Sequence, residues 1–273
     1  MTHTTSPRLH WWGTVLYPAA LVAVFLGGQL VLQALGVPNA LQASLAALPA
    51  VGALLITLPL RVRRCWDQSE PWRRLGVTGE APAVGKALVR GLLKAAGLLA
   101  LVLAALALAG QVSWLPRLNA GLLLNAAALG LGVAFAEELL FRGWLFGELS
   151  LLVGRQRALW LQAGLFSLVH TRFNLPLVLL IGLLLGLLLL GLALGLQRRA
   201  DGGLIWGAIG LHGGLVAGWF VLHQGLVVIQ PGAPAWLMGP DNPIGGFIGW
   251  LGLALLLLAR RPWWNTNSST DGP

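Results

Sequence analysis

Three segments of the chain carry residues able to do acid–base or ligand chemistry within otherwise apolar surroundings. Glu137 and Glu138 are adjacent, with Arg142 five and four residues further on. On a helix the i,i+4 relation sets Glu138 and Arg142 on one face within ion-pair reach and turns Glu137 about 100° away. Two carboxylates thereby receive two environments: Arg142 neutralises Glu138, and Glu137 is free to face a separate cavity as a general base. Phe166-Ser167-Leu168-Val169-His170 places an aromatic ring one turn before an imidazole. Gly210-Leu211-His212-Gly213-Gly214 flanks a second imidazole with glycines that clear room for a ligand or a close helix. A glutamate and two histidines can work in two ways: as the His₂Glu ligand set of a catalytic zinc ion, or with the glutamate activating a water that the imidazoles orient. Both point to hydrolysis of an amide by Glu137, His170 and His212. His223 is eleven residues beyond His212, about 16 Å along a helix axis, and reads as interfacial.

The surroundings decide what kind of protein holds these groups. Of 273 residues 57% are hydrophobic and only 10% charged, with mean hydropathy +0.78, so a water-exposed surface could not be covered. Composition therefore implies a membrane protein and excludes a cytosolic enzyme, a secreted domain and a disordered chain. The net charge of +9 comes from bases spread between apolar runs, which fits membrane orientation; no nucleic-acid partner is expected. A single cysteine, Cys65, excludes an intramolecular disulfide framework and a Cys-based zinc cluster.

The expected fold is all-α, a polytopic helix bundle, because lipid admits only helices or closed barrels and the apolar runs are too long for barrel strands. Eight runs stand out: Trp12 to Leu35, Ala40 to Leu60, Leu88 to Ala109, Ala120 to Phe146, Ala158 to His170, Leu175 to Leu196, Gly203 to Val228, and Ile244 to Ala259. With both termini cytoplasmic, fifteen of the eighteen Lys and Arg fall on the cytoplasmic side, as the positive-inside rule requires. Three divisions follow: residues 1–118 with three helices and a basic cytoplasmic loop at 61–87, a core at 119–228, and a last part at 229–273 with an external loop, the eighth helix and a disordered tail. His170 and His212 each lie 13 residues from the basic anchors Arg157 and Arg199, about 20 Å in, and Glu137 is about 27 Å from Arg155 before turn and tilt are subtracted. Comparable depth brings the three groups toward one pocket. Glycine pairs such as Gly182 with Gly186 and Gly191 with Gly195 read as close helix packing.

The order Glu-Glu-x-x-x-Arg, Phe-x-x-x-His, His-x-x-x-(Asn or Asp) on such a bundle resembles the CAAX prenyl protease type II and bacteriocin-processing (CPBP or ABI) intramembrane protease family. The matching stretches are Glu137 to Arg142, Phe166 to His170 and His212 to Val216; the first 118 residues match only in having helices. The departure is Val216, where the family has Asn or Asp. The resemblance implies an endopeptidase of lipidated or membrane-embedded peptides or proteins. Glu137 would be its general base or a metal ligand, His170 and His212 would hold water or metal, and Glu138, Arg142 and Phe166 would support them. It implies no cofactor, or a divalent metal such as zinc on Glu137, His170 and His212. It also implies a bilayer partner and a multi-pass place in a prokaryotic-type inner membrane. Val216 cannot stabilise an oxyanion as Asn would, so a backbone N–H near Gly213 or Gly214 is the expected substitute, or turnover is low. A binding or immunity-type protein that keeps the fold without catalysis is the alternative.

Overall fold

The computed structural model describes residues 9–234, 236–237 and 242–260. The expected tail from Asn265, and Pro-Gly loop positions 235 and 238–241, lie outside the described residues. Two compact units divide at Arg74 and Leu75. The first contains α1 (Trp11–Ala34), α2 (Asn39–Cys65) and the single turn α3 (Pro71–Arg74). Helices α1 and α2 pair as a hairpin, with Tyr17 hydrogen-bonded to Thr57 at 3.0 Å and the Arg61 guanidinium lying over the Tyr17 ring. Helix α2 runs five residues past the apolar run read from sequence, because Arg63 and Arg64 in its last turn complement the negative end of the helix dipole.

The second unit holds α4 (Ala81–Leu108), β1 (Val112–Trp114) and a long, irregular helix made of α5 (Ala120–Ala128), a π turn at Leu129–Val133, α6 (Ala134–Glu138), a second π turn at Leu139–Leu145, and α7 (Phe146–Val153). It continues with α8 (Arg155–Val169), α9 (Leu177–Ala200), α10 (Trp206–Val221), a third π turn at Leu222–Leu226, β2 (Val227–Ile229) and α11 (Phe247–Ala259). Among the described residues five helical stretches are long and apolar enough to cross a bilayer: Trp11–Ala34, Asn39–Cys65, Ala81–Leu108, Ala120–Val153 and Leu177–Ala200. The chain is a helical integral membrane protein. Helices α8 and α10, at 15 and 16 residues, and the apolar 13-residue α11 fall short of a full span on their own.

The all-α expectation needs one correction. Val112–Trp114 and Val227–Ile229 form an antiparallel ribbon that pairs Val112 with Ile229 and Trp114 with Val227. Backbone groups that leave α4 and the π turn after α10 find partners in each other there. The seventh apolar run, read as helix to Val228, therefore ends in a π turn and a strand.

Helix α10 lies against α4, α6 and the π turn at 129–133, and glycines set how closely. A Cβ on Gly213 would fall on the Gly130 carbonyl oxygen, and one on Gly130 would come within 2.8 Å of the Gly213 carbonyl. The helix bearing Glu137 and the helix bearing His212 thus touch backbone to backbone, as small residues allow in lipid. Gly213→Val should force them apart at a cost of about 1–3 kcal/mol, read as a lowered unfolding midpoint in detergent. At the other end of the long helix, Gly154 takes φ 83°, a left-handed conformation that lets α7 stop and α8 start without an intervening loop. Pro176, just before α9, fixes where that helix begins.

Candidate active site

The three motif segments meet in the second unit. Glu137 sits in α6, His170 is the residue that closes α8, and His212 lies in the second turn of α10. Glu137 Oε2 is 3.5 Å from His170 Nε2 and 3.9 Å from His212 Nε2. That oxygen is buried and has no hydrogen-bond partner among the described residues. The three side chains expected to share a depth are thus within 4 Å of one another across Glu137 Oε2. Access to them is partial: the side chains of Glu137 and His170 keep 27% and 32% exposure, against 8% for His212.

The far side of each imidazole is held. His170 Nδ1 is 2.7 Å from the Phe166 carbonyl, and His212 Nδ1 is 2.8 Å from Glu138 Oε1. A carbonyl and a carboxylate only accept, so Nδ1 carries the proton in both rings and the neutral imidazoles turn the Nε2 lone pair toward Glu137. Two lone pairs and one carboxylate oxygen then face one another, an arrangement that a shared proton, a water or a cation would relieve.

Glu138 and Arg142 form the expected ion pair, at 2.9 Å with both side chains fully buried. Two of its features were not legible from spacing. Glu138 Oε1 also accepts from His212, so this carboxylate both balances Arg142 and orients an imidazole. The Arg142 guanidinium lies 4.1 Å from the centre of the Phe166 ring, and Phe166 meets His212 edge-on at 5.8 Å with a 90° interplanar angle. Phe166 therefore ties both histidines to Arg142: its ring touches His212, its carbonyl holds His170, and its face covers the cation.

The segment carrying Arg142 is the π turn at Leu139–Leu145, not the regular helix expected. A π register shifts hydrogen bonds to i→i+5 and releases a carbonyl from the ladder. Arg198 Nη1 donates to the Arg142 carbonyl, and Arg198 Nε donates to the Gly203 carbonyl at 3.0 Å. Sequence placed Arg198 among the basic anchors at the cytoplasmic side; in the fold it is also a buried brace, 9% exposed, because a freed carbonyl offers it a partner. Gln162 is another residue that motif spacing did not reveal. Fully buried, it donates to the Gly191 carbonyl at 3.0 Å and helps join α8 to α9; its only sequence signal was an amide inside an apolar run. His223, read as interfacial, stacks on Trp219 away from this cluster.

The donor set can be tested against a metal. Two imidazole Nε2 atoms and a carboxylate are a zinc-type ligand set, and each Nδ1–H bound to an acceptor is the outer arrangement such ligands adopt. Ligands about 2.1 Å from one tetrahedral ion stand roughly 3.4 Å apart. The observed 3.5 Å agrees, and the 3.9 Å separation is about half an ångström wide. Among the described residues no group of three His, Cys, Asp or Glu is already drawn in to metal-holding geometry. Unless an imidazole is protonated, two carboxylates against Arg142 leave this buried cluster one negative charge in excess, which favours a cation or an added proton.

Val216 lies one turn beyond His212 on α10 and brings no donor. The amides of Gly213 and Gly214 lie inside α10 and belong to its hydrogen-bond ladder, so they are not the substitute that sequence suggested.

Residues 119–218 match the family model described as Type II CAAX prenyl endopeptidase Rce1-like. This segment is similar to type II CAAX prenyl endopeptidases. It contains the long irregular helix from its capping residue Asn119 onward, α8, α9 and most of α10, and with them Glu137, Glu138, Arg142, Phe166, His170 and His212. Comparison with curated proteins and with solved structures yields no match.

Proposed function

We propose that the protein is an intramembrane endopeptidase that hydrolyses a peptide bond of a membrane-embedded or lipidated peptide or protein. One observation supports this above the rest: the buried Glu137 Oε2 faces two imidazole Nε2 atoms whose other nitrogens are anchored. In this reading Glu137 takes a proton from water as it attacks the scissile carbonyl, His170 and His212 orient that water through Nε2, and Glu137 returns the proton to the departing amine. The products are a new carboxylate bearing one water oxygen and a new amine. Glu137, His170 and His212 would hold a divalent metal if one binds, and it would supply Lewis-acid polarisation of the substrate carbonyl. Metal analysis of the purified protein, with turnover measured before and after a chelator, separates the two forms. Loss of both zinc and activity on chelation is the metal-bound outcome; full activity without metal supports glutamate-activated water.

The test of hydrolysis itself is cleavage of a membrane-tethered peptide library in ¹⁸O-labelled water. Products from the wild type should carry one ¹⁸O at the new C-terminus, and Glu137→Ala should yield none. Equal cleavage by both proteins would overturn the proposal.

Val216 favours a second reading, a CAAX-protease-fold protein that binds rather than cleaves. An oxyanion donor is worth about 10²–10³ in rate. If the core is an enzyme working without that donor, Val216→Asn should raise turnover, by tenfold or more on that scale. If it is a binder, Val216→Asn leaves cleavage at background and Glu137→Ala keeps the biological phenotype.

A further inference from the structure

A second polar cluster lies in the membrane unit, separate from the Glu137 site and unused by the proposed reaction. Arg90 and Lys94, one turn apart on α4, meet the C-terminal end of α9 and the residue that closes α11. Arg90 Nη2 donates to Asp201 Oδ1 at 2.6 Å, and Gln197 Nε2 donates to Asp201 Oδ2 at 2.6 Å. Gln197 Oε1 accepts from Lys94 Nζ and, at 3.1 Å, from Arg260 Nη2. Gly207 makes the space, since a Cβ there would fall on the Asp201 carboxylate. Three positive side chains are gathered on one carboxylate and one neutral amide, which leaves this group with two positive charges in excess.

Basic residues that only anchor a helix extend separately to water. Here Lys94 and Arg260 reach the same amide oxygen from different helices although their charges repel. The Asp201 side chain is 1% exposed and that of Arg90 is 51% exposed, so the cluster has a closed floor and an open cationic edge. Its place in the fold identifies the counter-charge. The apolar stretch of α9 ends at Leu196 and α11 ends at Ala259, so Gln197, Asp201 and Arg260 mark the depth at which hydrocarbon gives way to headgroups. Guanidinium groups bind phosphate oxygens in a fork, and an ammonium binds them as a point charge.

We propose that Arg90, Lys94 and Arg260 bind the phosphate of an anionic phospholipid, on a floor built from Asp201 and Gln197. The bound lipid joins α4, α9 and α11 at one end of the helix bundle.

The test uses the full-length protein in nanodiscs and in detergent. Phosphatidylglycerol should raise the unfolding midpoint relative to phosphatidylcholine alone, and native mass spectrometry should show retained phosphatidylglycerol. Lys94→Gln/Arg260→Gln should reduce the preference for phosphatidylglycerol over phosphatidylcholine by roughly tenfold or more. Arg63→Gln/Arg64→Gln, which removes two exposed charges in the other unit, should leave it unchanged. A preference that survives Lys94→Gln/Arg260→Gln, or falls as far in Arg63→Gln/Arg64→Gln, overturns the proposal. So does stabilisation by inorganic phosphate, with the same residue dependence, when phosphatidylglycerol gives none, because the site would then serve a soluble anion. Should the double variant fail to fold, the charge-preserving Lys94→Arg/Arg260→Lys decides: it should retain phosphatidylglycerol, and loss of retention in a folded protein overturns the assignment.

Discussion

Glu137→Gln is expected to reduce cleavage of a membrane-tethered peptide by about 10³-fold, within the 10²–10⁴ range of positioned acid–base groups, while the unfolding midpoint stays close to wild type. The two halves of this expectation come from different contacts. Glutamine has the shape of glutamate but cannot take a proton from water, so the loss falls on kcat and leaves KM nearly unchanged. Stability is spared because the buried charge balance of the site rests on Glu138 and Arg142, 2.9 Å apart, and Glu137 Oε2 has no hydrogen-bond partner among the described residues. Glu137→Asp is the informative companion. It keeps the carboxylate but withdraws it by one methylene from two imidazoles that are already 3.5 and 3.9 Å away, so turnover should recover only in part. Turnover in Glu137→Gln within a few-fold of wild type would remove Glu137 from the chemistry.

What could be read from sequence was what depends on helical periodicity. Glu138 and Arg142 pair because they are four apart, and Glu137, His170 and His212 meet because each sits at similar depth on an apolar segment. Periodicity is blind to hydrogen-bond register, and so the π turns at 129–133, 139–145 and 222–226 were hidden. Their composition, Leu and Gly joined by Val in the first, by Phe, Arg and Trp in the second and by His and Gln in the third, suits a regular helix equally well. The inward course of Arg198 follows from that hidden register, because its partner is a carbonyl released only in the folded helix. The carbonyl of Phe166 was invisible for a similar reason: every residue has one, and only the end of α8 at Val169 leaves it available to His170. The β-ribbon joins residues more than a hundred positions apart, a distance over which local apolarity says nothing about pairing. The glycines were read correctly as packing residues, yet which helices they join follows only from coordinates: Gly191 against Ala163, Gly213 against Gly130.

Arg142→Met is expected to destabilise the protein by about 3–5 kcal/mol, the penalty for breaking a buried ion pair from one side. Removing the guanidinium strips Glu138 of its counter-charge at 0% exposure and leaves it only the His212 Nδ1 proton, while Glu137 adds a second negative charge nearby. The Phe166 ring loses the cation that lies 4.1 Å from its centre, and with it part of what fixes both histidines. Chemical unfolding in detergent measures the loss, and two further variants separate its causes. Arg142→Lys retains the charge but not the planar fork that spans Glu138 and the ring face, so it should recover roughly half of the deficit. Glu138→Gln/Arg142→Met removes both charges and should be more stable than Arg142→Met alone, since no carboxylate is then stranded at that position. Activity should not recover in step. Glutamine at 138 can still accept from His212 Nδ1 but lacks the charge that strengthens the Nε2 lone pair orienting the water, so the double variant should fold well and turn over poorly. A double variant as unstable as Arg142→Met would mean that packing around the guanidinium, rather than its charge, holds this part of the membrane core together.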